Sequence, residues 1–221
     1  MEHALIIGAT GGIGHAVTSH LREAGTRVTT LSRSDDGLDI TDEDSVRRTL
    51  TALNGPFDLV FVTTGALVVN GAEPEKALDQ VTPDAMRDQF MVNCIGPSMV
   101  LKHAQHLLPR DRRAIFAALS ARVGSIGDNG IGGWYSYRTA KAALNQMIHT
   151  AAIELGRSHK QSICVALHPG TVATDLTSKY LGRHPAVEPP EAAANLIDVL
   201  EGLTPDDTGQ FFDWAGKKVT W

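Results

Sequence analysis

Cysteine is scarce in this chain. Its 221 residues include two, Cys94 and Cys164, each inside an apolar run and far from the other, without metal-ligand spacing or a disulfide framework. Both read as buried free thiols. No grouping of His, Asp, Glu and Cys has convincing metal spacing, so no metal is expected. Long apolar runs are missing as well: no stretch approaches the roughly twenty residues that a membrane helix needs. The segment after Met1-Glu2-His3 lacks the cationic lead and the length of a secretory signal, so a cytoplasmic location without a membrane partner is expected. Positive charge is not concentrated either. Twenty Lys and Arg stand against 25 Asp and Glu, a formal net charge of -5, with the signs interspersed, which argues against nucleic acid as a partner. No internal repeat, low-complexity tract or Pro/Gly/Ser linker divides the chain. This length supports one sizeable hydrophobic core and not comfortably two.

What is present is alternation. Short apolar runs at residues 4–7, 28–31, 59–62, 114–119, 163–167 and 210–212 have strand length. Most are apolar on both faces, as a sheet covered on both sides requires. Between them lie helical stretches at 13–24, 42–53, 83–108 (interrupted), 137–156 and 190–200. Thr41, with Asp44 three residues on, is a plausible helix start related to the capping box. The pattern predicts an α/β fold: a single Rossmann-type domain over residues 1–221, its doubly wound, mostly parallel sheet covered by helices on both faces. Loop-rich material at 177–190 is expected to form a substrate-side flap at about 175–190.

Directly after the first strand comes Gly8-Ala9-Thr10-Gly11-Gly12-Ile13-Gly14, and then a helix. Gly8 permits a tight turn, Gly12 lets backbone approach a pyrophosphate, and Gly14 allows close helix–strand packing. The helix N-terminus offers free N–H groups and a positive dipole end to phosphates. At the end of the second strand, Ser32 and Arg33 stand where an acidic residue would bind the 2′-hydroxyl of NAD. A small hydroxyl and a guanidinium fork suit a 2′-phosphate, so NADP(H) is expected in preference to NAD(H). Asp35 and Asp36 follow closely and blunt that positive field.

Tyr137-Arg138-Thr139-Ala140-Lys141 opens a helix whose apolar face continues through Leu144, Met147, Ile148, Ala151 and Leu155. About one turn separates the phenol from the ammonium, which therefore share a face. An adjacent ammonium is expected to lower the tyrosine pKa and make Tyr137 a better proton donor. Together with the glycine loop, this pair resembles the short-chain dehydrogenase/reductase family, and the resemblance covers essentially the whole chain. Leu38-Asp39-Ile40-Thr41 looks like the family's adenine-side element, and Val62-Thr63-Thr64-Gly65 like an altered Asn-Asn-Ala-Gly. Asn93-Cys94-Ile95-Gly96 resembles the mid-chain Asn-x-x-Gly, and Pro169-Gly170-Thr171-Val172-Ala173-Thr174 the turn that covers the nicotinamide. Glu75-Lys76-Ala77-Leu78, Gly124-Ser125-Ile126, the run from Gly133 to Arg138 and the tail from Gly209 to Trp214 are similar to the C-factor-like carbonyl reductase subgroup.

The resemblance implies an enzyme that interconverts a small-molecule carbonyl and its alcohol, with Tyr137 as general acid/base. It implies that Lys141 bonds the nicotinamide ribose, that Asn93 holds a relay water, and that the chain forms a homo-dimer or homo-tetramer. Some members of that subgroup are named for cell–cell signalling, so an NADP(H)-sensing or signalling protein with little turnover stands as the alternative. Pro97 removes the N–H that would bond the carbonyl of Asn93, or else starts a new helix; both readings stay open. Trp134 and Tyr135 read equally as substrate-mouth residues or loop anchors, and His168 as a hydrogen-bonded pocket wall. The family's orienting serine is the second of Ser-Ser-x-x-Gly, where this chain has Ser120-Ala121-Arg122-Val123-Gly124. Ser120 is expected to supply the hydroxyl if the strand ends or bulges before it, with Ser125 as the other candidate.

Overall fold

The structure, a computed structural model, describes residues 1–180 and 185–221. Six strands form one sheet: β1 (His3–Ile7), β2 (Arg27–Leu31), β3 (Leu59–Val62), β4 (Ala114–Leu119), β5 (Ser162–His168) and β6 (Phe211–Asp213). Their order is β2-β1-β3-β4-β5-β6, and every neighbouring pair is parallel. The order reverses at β1, which pairs with β2 on one side and β3 on the other. A crevice beyond the carboxyl ends of the strands belongs at such a switch point. Each of the six expected apolar runs falls on a strand. β2 alone is partly exposed along its length, as an edge strand with Thr29 and Thr30 in it can be.

The helices are α1 (Gly12–Glu23), a short α2 (Arg33–Asp36), α3 (Glu43–Thr51), α4 (Pro83–Phe90), α5 (Gly96–Ala104), α6 (Tyr135–Ser158) and α7 (Pro189–Gly202). Alternation along the central strands sends side chains to two cores. Leu5, Ile7, Phe116, Ala118, Cys164 and Ala166 pack with Val46 of α3, Leu101 of α5, and Leu144 and Ile148 of α6. Ala4, Ile6, Ile115, Ala117, Ile163 and Val165 pack with Val17 and Leu21 of α1 and Leu196 and Ile197 of α7. Strands buried on both faces need this near-continuous apolar sequence.

Local chemistry sets where helices start. Asp42, not Thr41, caps α3, its carboxylate accepting from the Asp44 N–H at 3.0 Å; the Thr41 hydroxyl is spent on Asp39. Thr82 caps α4, with Pro83 in the first turn. Between α4 and α5 a π-helical turn, Met91–Ile95, keeps the chain helical, and Pro97 follows in the first turn of α5. The proline is thus absorbed by a widened turn rather than by a break. Near the expected flap, Val187 forms a parallel bridge with Val172, while residues 181–184 of that flap lie outside the described residues. Among the described residues no helix is long and apolar enough to cross a membrane.

Candidate active site

The glycine loop leaves β1 at Gly8, whose φ of +90° suits a residue without a side chain. Its N–H reaches Leu31 O at 2.8 Å, and the Gly11 N–H returns to Gly8 O at 3.1 Å. A Cβ at Gly14 would stand 2.2 Å from Gly8 O and 2.5 Å from Thr63 Oγ1, so the helix departs at a spacing that only glycine allows. Gly12 makes a different contact from the one its motif suggests: a Cβ there would meet Thr174 Cγ2 at 2.7 Å. Its bareness makes room for the turn after β5. Helix α1 starts at Gly11 with no side-chain cap and no acidic residue in its first turn, which leaves its positive end to an anion.

Beside this end lies a cavity of about 520 Å³ that Gly8, Thr10 and Gly11 line together with Ser32 and Arg33. Asp39, Ile40, Thr64 and Gly65 complete its wall. The Ser32 hydroxyl accepts from Asp35 N–H at 3.0 Å, and Asp36 accepts from Ser32 N–H at 2.8 Å. One of the two neighbouring carboxylates is thereby turned inward, while Arg33 stays exposed at the rim. Asp39 accepts from the Thr41 hydroxyl and N–H at 2.7 and 2.9 Å, and these bonds hold its carboxyl below the usual range.

A second cavity, of about 340 Å³, adjoins the first; Thr63, Thr64 and Gly65 line both. Tyr137 and Lys141 close it from α6, joined by Ile13, Ser120 and Trp134. On the far wall stand Pro169, Gly170, Thr171, Val172 and Thr174. Tyr137 is 8% exposed and Lys141 2%. The ammonium lies 5.8 Å from the phenol ring's centre and donates to Leu119 O at 2.9 Å. Burial pushes the Tyr137 phenol above its ordinary pKa, and burial lowers Lys141 to about 8. The expected lowering of the phenol by its neighbour is therefore not seen: desolvation dominates, and the ammonium is turned toward the end of β4.

Asn93, fully buried, donates to Ala66 O at 2.7 Å and Gln89 Oε1 at 2.6 Å, and accepts from Ala66 N–H at 3.1 Å. Its amide clamps the loop after β3. A Cβ on Gly65 would lie 3.1 Å from Asn93 Oδ1 and 3.5 Å from Lys141 Nζ, so the absence of a side chain lets these groups converge.

As expected of a strand that ends before it, Ser120 lies just past β4, on the wall of the second cavity with Tyr137 and Lys141. β4 runs without a bulge, and the ladder continues through the Ser120 N–H to Leu167 O at 2.7 Å. Ser120 keeps the parity of Ala118 and faces α6, where its hydroxyl donates to Asn145 Oδ1 at 2.6 Å. Ser125, the other candidate, is not among the residues that line this cavity; its hydroxyl donates to Thr220 O at 2.5 Å and accepts from Asp128 N–H at 3.0 Å. Ala121 stands beside Ser120 on the cavity wall.

With this geometry in view, the comparison with known proteins is direct. A family model described as enoyl-(acyl carrier protein) reductase matches residues 8–210. The chain belongs to the short-chain dehydrogenase/reductase family. It is 32% identical, over all of both chains, to 1-hydroxy-2-glutathionyl-2-methyl-3-butene dehydrogenase of Rhodococcus sp. strain AD45. To C-signal of Myxococcus xanthus it is 33% identical over 76% of this chain and 94% of that one. A short-chain dehydrogenase/reductase from Burkholderia multivorans with bound NADP superposes with a TM-score of 0.81 at 25% identity, over 100% of this chain and 99% of the other.

Several residues of this short-chain dehydrogenase/reductase were not singled out by its motifs. Gln89 sits one helical turn before Asn93 and also donates to Leu67 O at 2.8 Å, a spacing that could have flagged it. Arg122 lines the second cavity but is held by Asp128 at 2.6 Å and stands 3.6 Å from Asp213. His168 is on the cavity wall as expected, but not hydrogen-bonded at Nδ1, which is buried without a partner. Burial lowers its pKa to about 4, with Arg122 adding to the effect and Asp213 opposing it. Trp134 lines the cavity and meets Tyr137 edge-on at 6.2 Å, whereas Tyr135 is not among the lining residues.

Proposed function

We propose that this oxidoreductase interconverts a carbonyl compound and its alcohol with NADP(H) as cofactor, Tyr137 acting as general acid/base. The observation that carries this reading is the meeting of Tyr137 and Lys141, one helical turn apart, at the inner end of a cleft that begins at the glycine loop. The chain's own residues fit a dinucleotide. The uncapped start of α1 suits a pyrophosphate, and the buried Thr64 hydroxyl beside it has no partner among the described residues. Exposed Arg33 and the capping Ser32 favour a 2′-phosphate over a free 2′-hydroxyl. When bound, the nicotinamide supplies or accepts the hydride.

The protein's share of the chemistry is the proton. In reduction the Tyr137 hydroxyl gives its proton to the carbonyl oxygen, and in oxidation it takes one from the alcohol. Lys141, fixed by Leu119 O, steadies negative charge that develops on Tyr137. Asn93 and Gln89 hold the loop at Ala66 against that ammonium. Around them Leu67, Leu119, Ala121, Val123 and Val172 exclude water from the reacting atoms. Similarity to C-signal favours a second reading, a signalling or NADP(H)-sensing protein with little turnover. A panel of apolar aldehydes and ketones, with NADPH consumption followed optically, separates the two. Turnover abolished by Tyr137→Phe supports the enzyme; nucleotide binding with no turnover on any compound supports the sensor.

A further inference from the structure

Helix α6 starts in an unusual way. Its N-cap residue, Trp134, has left-handed backbone angles, φ 53° and ψ 43°, without a side-chain cap, and no acidic residue stands in the first turn. A large side chain is strained in that region, and the first-turn N–H groups need partners. Both needs are met from elsewhere in the sequence. Glu75, in the loop after β3, accepts from Trp134 N–H through its backbone carbonyl at 2.5 Å. Its side chain accepts from Ser136 N–H at 3.2 Å and from the Ser136 hydroxyl. These contacts fall on the two residues that bracket Tyr135, and Ser136 is bonded directly to Tyr137.

Glu75 is only 5% exposed and has no ion-pair partner among the described residues. A buried acid without a cation is costly, and structural need alone does not call for one. A serine or asparagine at position 134 would cap the helix locally. The remote acid instead ties the loop on one side of the cavity to the turn that carries Tyr137, and sets a negative group at the positive end of a 24-residue helix.

We propose that Glu75 is a positioning residue for Tyr137, fixing the height of the phenol over the cavity and the charge around it. The inference rests on the reading of Tyr137 as proton donor. Glu75→Gln keeps the shape and removes the charge, since the Ser136 hydroxyl can reverse and accept from the amide. Less negative charge near Tyr137 makes its phenolate easier to form. The basic limb of the kcat profile for carbonyl reduction is then expected to move to lower pH by about half a unit or more. Glu75→Ala loses position as well, so kcat is expected to fall about tenfold or more with NADPH affinity kept. Glu75→Gln should recover much of that kcat. A second readout needs no nucleotide: the ¹³Cζ resonance of Tyr137, assigned by its loss in Tyr137→Phe, should shift in Glu75→Gln. An unmoved basic limb and an unmoved ¹³Cζ resonance in a folded Glu75→Gln protein would overturn the proposal. So would wild-type kcat in Glu75→Ala. Should the Ala protein not fold, the Gln protein decides alone. If Tyr137→Phe retains full turnover, the functional reading fails, while a shifted resonance still shows Glu75 acting on Tyr137.

Discussion

The hydroxyl of Ser120 donates to Oδ1 of Asn145 across 2.6 Å of buried space, joining the end of β4 to the middle of α6. Among the described residues Asn145 Nδ2 has no partner, so this bond is the anchor of the amide there. Ser120→Ala is expected to cost about 1–3 kcal/mol of stability by leaving a buried acceptor unsatisfied. Because Ser120 also lines the cavity with Tyr137, turnover in the folded protein should fall about tenfold or more. Denaturant unfolding and steady-state kinetics on one preparation check both halves. Wild-type turnover in the folded variant would show that Tyr137 works without this hydroxyl.

Tyr137→Phe removes one oxygen and leaves the ring against Trp134. Turnover is expected to fall by about 10²-fold or more, the range for a lost general acid, while NADPH binding by fluorescence titration persists. Tyr135→Phe should retain most of its activity, because Tyr135 does not line the cavity.

Arg33 is the exposed cation at the rim of the first cavity. Arg33→Ala should weaken NADPH binding about tenfold or more, the scale of a lost charge-assisted contact to phosphate, and leave NADH binding nearly unchanged. Isothermal titration with both nucleotides tests this. Equal affinities in the wild type, unaltered by the substitution, would refute the cofactor preference.

Lys141 carries its charge at a cost. Its pKa is about 8 in the folded chain against an ordinary 10.5, so between those values the unfolded chain binds more protons. Stability from this group therefore rises with pH across that window, by up to about 1.4 kcal/mol per unit. Tyr137, kept neutral by burial, opposes this trend only above about pH 10. Lys141→Met should flatten the slope between pH 8 and 10 and raise the neutral-pH melting temperature, while turnover collapses. A fall in melting temperature at neutral pH would contradict the desolvation argument.

His168 works on the acid side. Its folded pKa of about 4 lies below the ordinary 6.5, so the unfolded chain binds more protons as pH falls between them, and stability drops. His168→Gln should lose less stability than wild type between pH 6.5 and 5, measured by urea unfolding at each pH. Parallel losses in the two proteins would show that this imidazole is not desolvated.

Much of the architecture was legible because its signals are local and repeated. Six apolar runs became six strands, and Gly8 and Gly14 do in the structure what glycine in a tight loop can do. Other features depended on partners distant in sequence. Nothing adjacent to Gly12 announces Thr174 as its neighbour, and nothing near Tyr137 announces Glu75. What the Ser120 hydroxyl meets was equally hidden, since only packing brings Asn145 of α6 to it. The pKa expectation for Tyr137 failed on burial: helical spacing brings Lys141 near, but only packing shows both groups cut off from water.

The contact between Gly12 and Thr174 also bears on how the protein is made. The glycine loop leaves the ribosome long before Thr174, the residue that packs against it. Its strand β1 must likewise wait for β3, with β4 and β5 coming later still, before the sheet around it is complete. A growing chain therefore carries an unfinished cleft until Thr174 has emerged. The cleft closes only when the turn after β5 arrives, so nucleotide is best able to stabilise this protein once that turn has emerged.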